Sequence, residues 1–403
     1  MANIQPRRNK DGKIISYSIR VFKGRDANGK QLKPHTMTFE IPEKWSEEKA
    51  EKEAAKAAIL FEKQCKDGIV VDNNQTFEKY AKYVIQLKER SGVKHKTIYT
   101  YNILLERIIP AIGHIKLKEL RPQHLNLFYE QLASEGMNKN NNGRLSAATI
   151  TKYHRLIATI LSNAEKEMLV EYNAASKVSP PKIIKKDANY LEIKVIEQIL
   201  SYIPNEKLRW QVVMLLLIFS GARRSEIAGI KMKNINIKNN SVAFREGIFY
   251  TKEKGIYVDE LKTEKSKRTL KLPVLVMDVI KKLILQNRKN KLKYGSAWND
   301  NDFLLTQDNG NPIHPDSITD YCEKFRTKYN KIIKENNKKR DKTEQEELIP
   351  HINPHAFRHS QASMLFFSGA DPITVSRRLG HAQVSTTTDI YSCLLYTSDA
   401  ADD

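Results

Sequence analysis

The stretch "WQVVMLLLIFSGARRSEI" (Trp210–Ile227) constrains this chain more than any other. A helix that is apolar all round has to be enclosed by other elements. Its apolar run is of buried-helix length, well short of the about 18–20 residues a bilayer requires. It therefore predicts a helix at the centre of a core. Gly221 follows the last apolar residues and predicts a sharp turn. Arg223, Arg224 and Glu226 come directly after it, so charged groups emerge at the edge of that core.

Charge narrows what they could face. Lys and Arg total 68 against 47 acidic residues in 403, a formal net charge of +21. Such an excess fits a polyanionic partner, either nucleic acid or an anionic membrane surface. No run of about 18 apolar residues occurs, and the opening "MANIQPRRNK" has no apolar signal region, so a membrane protein or a secreted one is not expected. Cys65, Cys322 and Cys393 are scattered, with neither metal nor disulfide spacing. The expected setting is the reducing cytoplasm.

The chain reads as several domains, mainly α with small β-sheets. Residues 1–70 predict a three-stranded sheet and one helix. "KIISYSIRVFK" (Lys13–Lys23) alternates like a strand between the turn signals Asp11-Gly12 and Asn28-Gly29, "KPHTMTFEI" (Lys33–Ile41) follows, and Ser46 caps a helix that ends near Gly68. The first 40 residues hold nine basic and three acidic side chains. A basic, aromatic strand face of that kind could lie in a DNA groove; the plainer reading is a solvated sheet face. Residues 74–172 predict a four-helix bundle, its second helix ended by Pro110 and Gly113 and its third running from Pro122 to Gly136. Lys94, His95, Lys96, Lys139, Arg144, Lys152 and Arg155 fall at helix starts and on polar faces that could meet phosphates. Residues 173–190 predict a basic linker. Residues 191–393 predict a mixed α+β domain with helices near 192–202 and 206–220, short strands near 241–272 and a long basic helix after them. "KIIKENNKKRDKTEQEE" (Lys331–Glu347) predicts an exposed loop or helix end. The last ten residues, 394–403, form an atypical tail.

Four segments of the third region carry reactive residue types. "SGARRSEI" holds Arg223 and Glu226, and "LKTEKSKRTLKLP" holds Lys262 with Lys265, Lys267 and Arg268 behind it. "NPHAFRHS" holds His355 and Arg358, and "LGHAQVSTTTDIYS" holds His381 and Tyr391. Singly, each is most simply a structural residue. Together, two Arg, one Lys, two His and one Tyr are what attack on a phosphodiester without a metal needs. Two guanidiniums clamp the non-bridging oxygens, a Lys protonates the leaving 5′-oxygen, a His near neutral pKa takes the tyrosine proton, and the Tyr is the nucleophile. A metal nuclease would want clustered carboxylates. Near these motifs, Glu226 and Asp389 stand apart from one another in sequence and form no such cluster.

The order and wording of these four segments resemble the tyrosine recombinase (phage integrase) family over roughly Leu191–Ser392. The resemblance implies a catalytic domain of that family in 191–393, a core-site-binding domain in the helical region and an arm-site-binding domain in 1–70. It implies Arg223 and Arg358 as phosphate clamps, Lys262 as general acid, His355 as proton-handling partner and His381 as a further phosphate hydrogen bond. It makes Tyr391 the nucleophile that forms a 3′-phosphotyrosine, with Glu226 in a supporting role. No metal and no other cofactor is expected. The implied partners are double-stranded DNA at core and arm sites, a tetramer of this chain on two sites passing through a Holliday junction, and a host bending protein and an excisionase. The closing "SCLLYTSDAADD" departs from the family pattern and reads as a truncated or foreign end. Tyr396 lies nearby, but the spacing from His381 favours Tyr391. The alternatives are a Xer-type resolvase of chromosome dimers, a type IB topoisomerase and a non-catalytic DNA-binding protein. The first usually lacks a domain like residues 1–70.

Overall fold

The computed structural model describes all residues except 1, 10–11, 23, 26–28, 43–44, 67–74, 185–189, 262–265, 381–382 and 384–403. The chain divides into two compact units, the first ending at Lys185 and the second starting at Lys186.

The first unit opens with strands β1 (Asn3–Arg8), β2 (Ile14–Val21) and β3 (His35–Glu40), antiparallel in the order β1-β2-β3. Helix α1 (Glu47–Lys66) begins where Ser46 accepts from the Lys49 amide, with Glu47 and Glu48 in its first turn. The two-residue alternation of β2 sends Ile19 and Val21 against Ala58 and Phe61, and Tyr17 against Ala50 and Ala54. This corrects the expected aromatic DNA-facing surface. Tyr17 is buried under α1, because an aromatic ring on the half-covered sheet is worth most on the covered side. The pairing register places Arg7, Ser16 and Glu40 in one row of the other face, and Asn3, Arg20 and Thr36 in another, so that face is polar.

Four helices follow: α2 (Phe77–Arg90), α3 (His95–Ile112), α4 (Pro122–Leu132) and α5 (Ala147–Lys166). Thr76 and Ser146 cap α2 and α5 through their hydroxyls. One apolar core joins all four, with Phe77, Ile108, Leu125 and Ile157 fully enclosed. Pro110 lies inside the last turn of α3 and does not end it; the helix continues to Ile112. The expected linker also begins later than its composition suggests. Asn173 is buried, donates to the Ala158 carbonyl and to Ser162 Oγ (both 3.0 Å), and accepts from the Ala175 amide, while Ala174, Ala175 and Val178 enter the helical core.

The second unit is built around α7 (Leu208–Ser220), in which Val212–Ile218 are all buried. It follows α6 (Ile193–Tyr202) and leads into the short α8 (Arg224–Ala228). The strands expected near 241–272 form two sheets. β4 (Ile235–Asn236), β5 (Ser241–Phe244) and β8 (Arg268–Lys271) make one, and the hairpin of β6 (Glu246–Thr251) and β7 (Gly255–Glu260) is the other. Helices α9 (Val274–Tyr294), α10 (Asp316–Asn337), α11 (Pro354–Phe367) and α12 (Pro372–Leu379) complete it. The run Lys331–Glu347 starts as the end of α10, with Ile333 in the core. The chain after it is held in place: Asn337 bonds both the carbonyl and the amide of Glu346, and the Glu346 carboxylate accepts from Tyr202 and Gln198.

Replacing Asn173 with Ala removes three hydrogen bonds from a buried turn and leaves the Ala175 amide without its acceptor. Asn173→Ala should destabilise the first unit by about 1–3 kcal/mol, read as a lower urea midpoint. Lys182→Ala, on exposed chain, should leave the midpoint unchanged.

Candidate active site

The charged residues after α7 are placed by one turn. Gly221 takes the left-handed conformation, φ 57°, which favours glycine. A Cβ there would stand 2.7 Å from Leu379 Cδ2 and 3.1 Å from Gln361 Cγ. The backbone thus reverses directly against α11 and α12, and Arg223 becomes the cap of α8.

Glu226, in the first turn of α8, holds the arginines around this reversal. It is 1% exposed, and its carboxylate accepts from the Arg223 amide (3.0 Å), Arg223 Nη1 (2.7 Å) and Arg268 Nη2 (2.9 Å). Burial by itself pushes its pKa up. The charges of Arg268, Arg223 and Arg358 and the Arg223 hydrogen bond outweigh burial and hold the carboxyl below its usual range. Arg223 shares this carboxylate yet keeps 37% of its side chain exposed, so one edge of its guanidinium faces outward.

Helix α11 brings the second pair. Asn353 accepts from the amides of His355 and Ala356 (both 3.0 Å), and Pro354 fills the first helical position. His355 is therefore fixed at the first turn, exposed, and Arg358 one turn on is buried, its Nη1 donating to the Gly221 carbonyl at 2.9 Å. The surrounding protein lowers the pKa of His355 first by desolvation, then through Arg358, Arg223 and Arg224, so the ring is neutral at pH 7. His359 is lowered in the same direction by burial, His355 and Arg358.

Arg223, Glu226, His355 and Arg358 thus share one electrostatic neighbourhood, as the wording of their segments leads one to expect. Lys262, His381 and Tyr391 lie outside the described residues. For the first two, neighbouring residues are described: buried Leu261 and Ser266 bound the segment with Lys262, and Gly380, which precedes His381, ends α12 with φ 70°. Two arginines to which the motifs assign no role also belong here. Arg268 is 7% exposed, and Arg378 donates to the Phe219 carbonyl at 3.1 Å, its pKa lowered by burial and by Arg268. The sequence carries a signal for Arg268. Leu270 and Leu272 point inward, and a strand's period of two puts residue 268 on the same face.

Known proteins resemble the chain over both units. Residues 189–397, just over half of the chain, match the Phage integrase family, and residues 76–133 match the Phage integrase, N-terminal SAM-like domain. The tyrosine recombinase XerC of Treponema denticola is 22% identical over 319 residues, covering 78% of this chain and 92% of that protein. The transposase from transposon Tn916 of Enterococcus faecalis is 26% identical over 189 residues, 47% of this chain and 43% of that one. Among solved structures, the Tn1549 transposon integrase in complex with a circular intermediate DNA superposes with a TM-score of 0.61 at 20% identity, covering 79% of this chain and 95% of that one. A lambda integrase tetramer bound to a Holliday junction gives 0.54 at 15% identity, covering 94% and 96%. At these identities the structural likeness is one of fold. No helix among the described residues is long and apolar enough to cross a membrane.

Truncating Glu226 leaves Arg268 buried without its carboxylate. Glu226→Ala should cost about 3–5 kcal/mol of stability. The pH dependence follows from the sign of the shift. With the folded pKa below the unfolded one, the carboxylate's contribution is fully present above the ordinary Glu value. It is lost as pH falls from there through the folded pKa. Urea midpoints measured from pH 7 down to 3 should therefore fall less steeply in Glu226→Gln than in the unaltered chain.

Proposed function

The chain belongs to the phage integrase family of tyrosine recombinases, site-specific DNA recombinases, and we propose that it is the integrase of a mobile element whose reaction runs through Tyr391. In this reading Tyr391 Oη attacks the scissile phosphorus, the bond from phosphorus to the 5′-oxygen breaks, and a 3′-phosphotyrosine remains. His355, neutral at pH 7, accepts the tyrosine proton, and Lys262 gives a proton to the departing 5′-oxygen. Arg223 and Arg358 clamp the non-bridging oxygens as charge builds on them, and His381 adds a hydrogen bond. The tyrosyl ester conserves the phosphodiester linkage, so a second strand's 5′-hydroxyl can reverse the step without ATP.

The observation that carries this proposal is the shared neighbourhood of Arg223, Arg358 and His355, set at one backbone turn by a buried carboxylate. The polar face of β1–β3, with Arg7 and Arg20, supports a second DNA contact at arm sites, and the polar helix faces of α2–α5 support the core-site contact. A tetramer on two sites, with a bending protein and an excisionase, completes the reading by analogy with the family. Chromosome-dimer resolution is the runner-up, since XerC of Treponema denticola matches over most of its length; the N-terminal sheet favours the mobile element.

The test uses a duplex with the attachment site beside the chain's own gene, nicked so that the cleaved fragment diffuses away. The unaltered protein should form a covalent DNA adduct, and Tyr391→Phe should bind the duplex and form none. An adduct in Tyr391→Phe would exclude Tyr391 and turn attention to Tyr396. Arg358→Ala should slow cleavage by about 100- to 1,000-fold, the usual loss for one transition-state donor, with far less change in binding. Because His355 has a lowered pKa, cleavage should stay level around pH 7 and fall only as pH drops below the ordinary imidazole value near 6.5. Deleting residues 1–70 should spare cleavage of a short core duplex and impair integration between full sites.

A further inference from the structure

The site's arrangement leaves one buried cation unaccounted for by the reaction. Arg268, on β8, contacts no solvent to speak of and lies with its guanidinium 4.9 Å over the Phe244 ring. Its donors are spread over three separate segments. Nη2 reaches Glu226 Oε2 on α8 at 2.9 Å, Nη1 reaches the Ser266 carbonyl at 3.1 Å, and Nε reaches the Arg378 carbonyl near the end of α12 at 2.7 Å. The glycine that ends α12 is fitted to it as well: a Cβ on Gly380 would meet Arg268 Nη1 at 3.0 Å and Ser266 Cα at 3.3 Å.

Each of those segments leads to a different reactive residue. Glu226 holds Arg223, Ser266 closes the segment that carries Lys262, and Arg378 and Gly380 precede His381. We propose that Arg268 is a positioning residue that locks the α8 turn, the chain before β8 and the end of α12 into one geometry, so that a phosphate clamp, the general acid and the last histidine meet the same phosphate. This rests on the recombinase reading above. Only a planar cation with donors on three sides can serve the three acceptors at once. A lysine would keep the charge beside Glu226 but reach fewer of them, and a methionine would keep the bulk on Phe244 without charge or donors.

The experiment compares the full-length chain with Arg268→Lys and Arg268→Met on the nicked attachment-site duplex, measuring equilibrium binding and single-turnover cleavage. A second duplex carries a methylphosphonate at the scissile position, which removes the charge the clamp acts on. The expected result is binding within about twofold of the unaltered protein in both variants. Cleavage should slow on the order of 10- to 100-fold in Arg268→Met, the scale of a small misplacement of reacting groups, and by less in Arg268→Lys. The defect should shrink on the methylphosphonate duplex. A purely structural Arg268 would instead slow both substrates alike, and that pattern overturns the proposal, as does cleavage at the unaltered rate. If Arg268→Met does not fold, Arg268→Lys decides by the same comparison. Failure of the unaltered protein to form any adduct would contradict the recombinase reading itself, which separates the two outcomes.

Discussion

The second unit depends on one carboxylate. Glu226 is a buried acid, and the charges of Arg268, Arg223 and Arg358 outweigh its burial and hold its carboxyl below the usual range. A buried charge of this kind is costly when left alone and specific when paired. The pairing fixes two things that apolar packing does not. It sets the direction in which Arg223 leaves the turn, and it ties β8 to α8.

The turn between α7 and α8 receives more than that tie. Arg358 of α11 donates to the carbonyl of Gly221, and Arg378 of α12 donates to the carbonyl of Phe219. With Arg268 of β8, three elements far apart in sequence each direct an arginine at the stretch Phe219–Glu226. The backbone can accept them because Gly221 turns left-handed where a side chain would strike Leu379. Positive charge is concentrated at this place, with Glu226 as the buried acid that balances part of it. That imbalance suits an anionic group from outside, and it adds to the desolvation that lowers the pKa of His355. The fold and the electrostatics of the site are consequences of the same few contacts.

Much of this is legible in the sequence, and the limits are physical. The apolar run of α7, its glycine stop, the cap Ser46 and the alternation of β2 all act locally, so local patterns find them. The motif wording finds Arg223, Glu226, His355 and Arg358. That Tyr17 lies under α1 is not legible, because alternation alone does not say which face a helix will cover. Asn173–Val178 reads as linker because a polar, proline-flanked composition does not reveal that Asn173 will find three backbone and hydroxyl partners. The strand alternation shows that Arg268 is buried, but its pairings with Glu226 and Arg378, 42 and 110 residues away, leave no local trace. The end of α10 is hidden in the charge run Lys331–Glu347, where buried Ile333 stands among lysines and a glutamate.

The central claim is that Arg223 and Arg358, set by the Glu226 turn, act on one phosphate attacked by Tyr391. It is tested most directly by a structure of the full chain with attachment-site DNA cut at the scissile position and bridged by orthovanadate, which mimics a five-coordinate phosphorus. The account predicts vanadium bonded to Tyr391 Oη, with both guanidiniums on its equatorial oxygens and Glu226 still held between Arg223 and Arg268. Vanadate bonded to another residue, or bound with either arginine turned away from it, would contradict the account.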